Sequence, residues 1–112
     1  MSPAQPSYGD EIERTYLTLE ENFATLYQRC STSEQKKELS DTHSAARYAF
    51  WKAGEQARPP ERSAGATAYQ DLQMANLRLN TMLKNRGDVG AFLGLAAEAV
   101  RLASSLTRPY VR

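Results

Sequence analysis

The sequence predicts an all-α protein folded as a small antiparallel four-helix bundle, which dimerisation would complete. Its apolar residues recur at the spacing of one helix face in four segments, and the breaks between these segments are short. The length of 112 residues and the mass of 12.5 kDa are those of one domain with one core. We expect a disordered tail over 1–9, a single helical domain over 10–107 with helices at about 10–30, 32–57, 67–86 and 88–106, and a C-terminal tail over 108–112.

The first predicted helix carries the strongest periodic signal in the chain. Ser7 or Asp10 is available as its N-cap, and acidic residues in its first turn suit the helix dipole. Its apolar positions follow one another in alternate steps of four and three residues, which is the a/d pattern of a heptad. These positions are Ile12, Tyr16, Leu19, Phe23, Leu26 and Cys30.

The second predicted helix repeats this spacing with smaller side chains. Ser31, with Glu34 three residues later, has the arrangement of a capping box. The helix ends before Pro59 and Pro60, which cannot continue it. Small residues in its stripe allow a neighbouring helix to approach closely. The stripe consists of Leu39, His43, Ala46, Phe50, Ala53 and Ala57.

The third and fourth predicted helices are joined by a short break, which predicts a tight antiparallel hairpin. Gly87 suits a left-handed C-cap for the third helix, and Asp88 caps the fourth. The segment Val89–Leu106 carries only two charges, Glu98 and Arg101. Because both charges share one face, we interpret this segment as an amphipathic helix that is either the central core helix or an oligomer seam, and not as a membrane span. The main face of the third helix comprises Leu72, Ala75, Asn76, Leu79, Met82 and Leu83.

Cysteine content and charge restrict the classes of protein to which the chain can belong. A single cysteine, Cys30, excludes a disulfide within the chain, and the N-terminal residues lack the basic and apolar regions of a signal peptide. We therefore expect a cytoplasmic protein. The net charge of +1 hides a gradient, because residues 1–41 hold eight acidic and four basic side chains, and residues 42–112 hold five and ten. Such a chain either neutralises its charges between neighbouring helices or presents an acidic and a basic pole.

The sequence contains no pattern that is specific for catalysis or for a cofactor. The ligand patterns of zinc, di-iron and haem sites are missing, as are both nucleotide-binding fingerprints. We therefore expect no metal, no cofactor and no catalytic residue. The alternative is a phosphotransfer or other enzyme centred on His43, the only histidine. Phosphotransfer domains usually place Lys or Arg three residues after the histidine, where this chain has Ala46.

Four large apolar side chains lie away from the main stripes. Tyr48 and Trp51 project roughly 120 to 180° from the stripe of the second helix. Met74 and Leu77 belong to a second face of the third helix. Either these residues bind a partner, or the third helix is sandwiched inside the bundle and a terminal residue such as Tyr110 covers Trp51.

These features favour a non-enzymatic protein–protein interaction module. Such a module would act as an adaptor, regulator, inhibitor or chaperone-like protein, and would bind itself as a homodimer or bind another protein. The alternative from another class is a nucleic-acid-binding regulator that uses the basic second half, although this half has no helix-turn-helix signature. The predicted contact residues are Tyr48, Trp51, Met74 and Leu77, with Arg47 and Lys52 at the rim.

Overall fold

A computed structural model describes residues 8–56, 63–85 and 88–107. These residues form four α-helices and no strand, and the helices pack as a compact bundle, so the predicted fold class is confirmed. The helices are α1 over Tyr8–Arg29, α2 over Ser33–Gln56, α3 over Ser63–Asn85 and α4 over Val89–Thr107.

Two helices begin earlier than the sequence predicts. α1 begins at Tyr8 and not at Asp10, so the last two residues of the predicted N-terminal tail are helical. α3 begins at Ser63 and not at Thr67, because the alanines around Gly65 favour the helix more strongly than this single glycine opposes it. Outside the described residues lie the predicted cap Ser7, the helix-ending Pro59 and Pro60, the C-cap Gly87 and the C-terminal tail over 108–112.

α2 is capped by Thr32 with Gln35, one residue later than the predicted pair Ser31 and Glu34, in a variant of the capping box in which Gln35 binds the amide of the residue before the cap. The amide of Gln35 donates to Oγ1 of Thr32 at 3.0 Å, and Oε1 of Gln35 accepts from the amide of Ser31 at 2.8 Å. Both pairs have the required spacing, so spacing alone did not distinguish them. The cap of α4 is as predicted, since Oδ2 of Asp88 accepts from the amide three residues later at 2.8 Å.

The four helices are arranged around the bundle in the order α1, α2, α4, α3. α1 and α4 each pack against both other helices and also contact each other across the interior, whereas the described parts of α2 and α3 do not contact each other. α1 and α2 run antiparallel. Tyr16, early in α1, stacks on Phe50, late in α2, and Lys36 in the first turn of α2 lies over Tyr27 near the end of α1. The outer faces of α2 and α3 are therefore on opposite sides of the bundle.

The core follows the predicted stripes. α4 contributes most to it, because nine of its residues are buried. Outside α4 the buried apolar residues are stripe positions, except for Ala49, which lies next to the α2 stripe, and Tyr16, Phe23 and Phe50 are half-buried against them. The buried apolar residues outside α4 are Ile12, Leu19, Leu26, Cys30, Leu39, Ala46, Ala49, Leu72, Ala75 and Leu79.

α4 is also the one helix within the described ranges with the length and composition of a membrane span. The segment Val89–Leu106 has a mean hydropathy of 1.4, and 44% of it is buried inside the bundle. Core helices of soluble proteins meet the same criteria. Here the buried face of the segment packs on the three other helices, and Glu98 and Arg101 pair with each other on its exposed face.

A small polar network is buried where α1 meets α3. Nδ2 of Asn76 donates to Oε1 of Glu11 at 3.0 Å and to the carbonyl oxygen of Glu11 at 3.1 Å. Oγ1 of Thr15 lies 2.7 Å from Oδ1 of Asn76, to which it donates. Thr15 and Asn76 are fully buried, and no buried side-chain N or O of the described residues lacks a hydrogen-bond partner. The network therefore links α1 to α3 at one position along the bundle axis.

We expect Asn76→Ala to lower the free energy of unfolding by about 1–3 kcal/mol, because it removes the buried hydrogen bonds that join α3 to Glu11 and Thr15 and leaves these two groups only their contacts within α1. Urea unfolding measures this change. Asn80→Ala is the control, since this exposed amide donates only to the carbonyl oxygen of Asn76, and its effect should stay within about 0.5 kcal/mol. Equal losses in the two variants would show that the network adds no stability of its own.

Candidate interaction surfaces

The first candidate site is the α2 aromatic surface, which we define as Tyr48, Trp51, Arg47 and Lys52. The side chains of Tyr48 and Trp51 are 60% and 56% exposed, and their ring centroids are 6.0 Å apart at an angle of 38°. The ammonium group of Lys52 lies over the ring of Tyr48, 5.9 Å from its centroid. Arg47, Tyr48 and Trp51 are exposed because the helical period turns them away from the stripe that packs on α1 and α4, and Lys52 beside them is half-buried. The predicted aromatic pair and its basic rim are thus brought together.

The second candidate site is the α3 apolar surface, which we define as Met74 and Leu77. Their side chains are 56% and 63% exposed. α3 is therefore not sandwiched inside the monomeric bundle. Because α2 and α3 do not contact each other in the described residues, the four predicted apolar contact residues form two separate surfaces and not one patch. The suggested cover for Trp51, Tyr110, lies outside the described residues.

α1 adds an exposed apolar residue that sequence reasoning missed. Leu17 is 37% exposed and follows Tyr16, whose ring packs on Phe50. One residue corresponds to roughly 100° of rotation, so Leu17 points outward, where it lines a groove together with Asn80 of α3. Its position just off the heptad stripe was the signal that could have identified it. Around it α1 is acidic, with Glu13 and Glu21 on its outer side.

His43 is half-buried between α1 and α2 and binds a carboxylate. Its Nε2 lies 2.6 Å from Oε1 of Glu20, and because a carboxylate only accepts, His43 donates. The rings of Tyr16 and Phe23 flank the imidazole, with centroids 5.9 Å and 4.8 Å from its own. Glu20 is exposed to solvent, and this contact connects it to α2. The hydrogen bond from His43 lowers the pKa of Glu20 below its ordinary value of 4.5, and Arg47 adds a smaller effect of the same sign.

Cys30, the thiol that could act with His43 as a nucleophile, is not beside it. Cys30 lies beyond the last turn of α1, roughly 12 Å further along the helix axis than the height of His43 by the helical rise. Its thiol is buried and donates to the carbonyl oxygen of Leu26, and burial raises its pKa. No group of three or more potential metal ligands occurs among the described residues.

The basic residues of the second half are distributed over three helices. Arg47 and Lys52 lie on α2, Arg78 and Lys84 on α3, and Arg101 on α4, where it pairs with a glutamate. They do not form one stripe along a single groove, which is the arrangement that nucleic-acid binding usually requires. Five further arginines lie outside the described residues, namely Arg58, Arg62, Arg86, Arg108 and Arg112.

Comparison of the chain with protein-family models, with curated proteins and with solved structures finds no match. The candidate surfaces are therefore interpreted from their own geometry and charge. The α2 aromatic surface combines exposed aromatic rings with flanking cations, and the α3 apolar surface presents flexible aliphatic groups on the other side of the bundle.

We expect the contribution of Glu20 to stability to disappear in acid. Its folded-state pKa lies below 4.5, so the stabilisation is complete above about pH 4.5 and is lost as the pH falls through the lowered value. Glu20→Gln should therefore destabilise the protein at neutral pH and make a progressively smaller difference as the pH falls below 4.5. Urea unfolding across this range measures both free energies. Glu21→Gln, which removes the same charge from the outer face, is the control. A Glu20→Gln effect that does not change with pH would contradict the assignment.

Proposed function

We propose that this chain is a non-enzymatic protein interaction module that docks through the α2 aromatic surface and the α3 apolar surface. The observation that carries the proposal is the exposure of four large apolar side chains, each more than half accessible, beside a core that the remaining apolar residues already fill. Isolated exposed apolar residues are ordinary, but a contacting Trp and Tyr pair is typical of a binding hot spot. An adaptor or regulator of other proteins would use such surfaces.

The exposed aromatic side chains can supply substantial binding energy. An aromatic side chain buries about 150–250 Å² when fully covered, and each buried Å² contributes roughly 25 cal/mol. Covering the exposed halves of Tyr48 and Trp51 would thus contribute about 2–3 kcal/mol for each ring before the cost of association. Their contact reduces the rotamer freedom that a partner would otherwise have to restrict.

The flanking cations determine which partners the α2 aromatic surface favours. Lys52 lies on the ring of Tyr48, and Arg47 lies on the side that faces α1, close enough to influence Glu20. Charges at the rim of an apolar contact add little affinity but select partners of opposite charge and speed their encounter. A partner with acidic residues around an apolar anchor therefore matches this surface.

Site-specific photo-cross-linking in cells tests the proposal. A photoreactive amino acid at Ser44 or Gln70 stands one turn before Tyr48 or Met74 and leaves the proposed contact residues intact. We expect cross-linked products at both positions and none at Ala97, an equally exposed residue of α4. A product of twice the chain mass of 12.5 kDa identifies self-association, and any other mass identifies a different protein.

The matched variant is Trp51→Ala in the chain that carries the cross-linker at Ser44. Because Trp51 is exposed, its loss should change the free energy of unfolding by no more than about 0.5 kcal/mol while it abolishes the cross-linked product. Cross-linking at Ser44 and Gln70 that does not exceed cross-linking at Ala97 would refute the proposed function.

A further inference from the structure

We propose that the groove between α1 and α3 binds an amphipathic helix of another protein, with basic side chains of that helix over the carboxylates of α1. The inference rests on the proposed function, and it names the class of partner that the α3 apolar surface takes. It also adds a binding surface on α1.

The groove runs along the seam between two helices that lie side by side in the same direction. Asn76 binds Glu11 and Thr15, and further along both helices Leu83 shares a cavity with Thr25. Two cavities of about 440 and 400 Å³ follow one another along this seam. On α1 their lining extends from residue 10 to residue 29, which corresponds to roughly 28 Å of helix. The groove is therefore long enough for about five turns of a bound helix.

The groove is open because short polar side chains face it from both helices. Asn22 of α1 and Asn80 of α3 each donate to a carbonyl oxygen four residues earlier in their own helix, at 2.8 and 3.2 Å. Thr18 and Thr25 add only small side chains on the α1 side. The two amides therefore do not close the groove by binding across it.

The shape of the groove suits a helix. The axes of two packed helices are about 8–10 Å apart, and a third helix of about 10 Å diameter fits along the seam of such a pair. Helices that bind in this way are anchored by apolar residues one turn apart. The described residues contain no strand, so they offer an extended peptide no sheet edge to which it could add.

Exposed leucines lie on both sides of the groove. Leu17 lines it on α1. On α3, Asn80 lies roughly 40° around the helix from Asn76, and the exposed Leu77 lies roughly 100° in the same direction. Leu77 therefore forms the outer edge of the groove on the α3 side. Because Asn76 binds Thr15, the two leucines are within about one turn of each other along the bundle axis, and one apolar stripe of a bound helix can cover both.

The charge of the first half of the groove selects a basic partner. This half is lined by Asp10, Glu13 and Glu21 and by one cation, Arg14, which pairs with Glu11 at 3.6 Å. Among the described residues no cation lies within salt-bridge distance of Glu13 or Glu21. Carboxylates around an apolar contact favour lysines and arginines on the partner, and they repel the phosphates of nucleic acids and of anionic lipids.

The second half of the groove is positive. Arg29 lines it, and Lys84 lies one turn beyond Asn80 on α3. We therefore expect the bound helix to carry its basic residues at the end that lies over the first half of α1, and neutral residues at its other end. A helix with basic residues in its last turns, bound antiparallel to α1, satisfies this pattern and also its own dipole.

Binding of a designed peptide to the purified full chain tests the proposal. The probe has about 18 residues, which matches the length of the groove, with leucines on one face, lysines in its last turns and glutamines elsewhere. The control peptide has glutamates in place of the lysines, and a hydrocarbon staple keeps both peptides helical. Fluorescence anisotropy of the labelled peptides measures affinity. We expect the lysine peptide to bind at least about tenfold more tightly than the control at low salt, and this difference should shrink as salt is added.

Variants of the chain locate the bound peptide. Leu17→Ser and Glu21→Lys should each weaken binding by about tenfold, since they remove an apolar contact and reverse a charge at the groove. Glu38→Lys is the matched control, because it makes the same charge change at an exposed position of α2 and should leave the affinity within about twofold. The emission of Trp51, the only tryptophan, should not shift, since α2 does not border the groove. Circular dichroism verifies that every variant folds.

Several outcomes overturn the inference. These are a lysine peptide that does not bind, a control peptide that binds equally well, and equal affinities of Glu21→Lys and Glu38→Lys for the probe. A shift in the emission of Trp51 also overturns it, because the peptide then lies on the α2 aromatic surface. The proposed function fails separately: cross-linking at Ser44 by a chain that does not bind the peptide would refute the groove but retain the interaction module.

Discussion

The bundle depends on the burial of the apolar face of α4. α2 and α3 do not contact each other within the described residues, so the two helical hairpins meet through α4 and through the smaller contact of α1 with α3. α4 buries nine residues in these contacts and keeps its two charges on the opposite face. Its length and hydropathy, which also fit a membrane span, are those required of a helix that contacts every other helix in the structure.

Apolar burial alone does not fix the position of α1 against α3, because apolar surfaces can slide past one another at small cost. The hydrogen bonds of Asn76 with Glu11 and Thr15 add that restriction. Any shift of one helix would leave these buried groups without partners, and each orphaned group costs more than a displaced methyl group. The polar network thus fixes the register, while α4 supplies most of the apolar contact.

How much of this structure was predictable depends on the range of each interaction. The heptad of α1 and the apolar face of α4 are repeated signals, so they predicted the core correctly. The cap at Thr32 rested on one spacing that Ser31 satisfied equally well. The pairing of Glu20 with His43, 23 residues apart, depends on how helices dock, and no local pattern contains it. The helical period predicted that Tyr48 and Trp51 leave the core stripe, but only the diagonal placement of α2 and α3 separates them from Met74.

The charge gradient of the sequence had two explanations, neutralisation inside the bundle or poles on its surface. Internal neutralisation is partial. Arg14 pairs with Glu11, Lys37 with Asp41 and Arg101 with Glu98, each within its own helix, whereas Glu20, through His43, links α1 to α2. α1 carries five acidic and two basic residues, and α2 carries four of each. The gradient therefore does not arise between these two helices: the acidic excess belongs to α1, and the basic excess belongs to residues 57–112, which hold four acidic and eight basic residues.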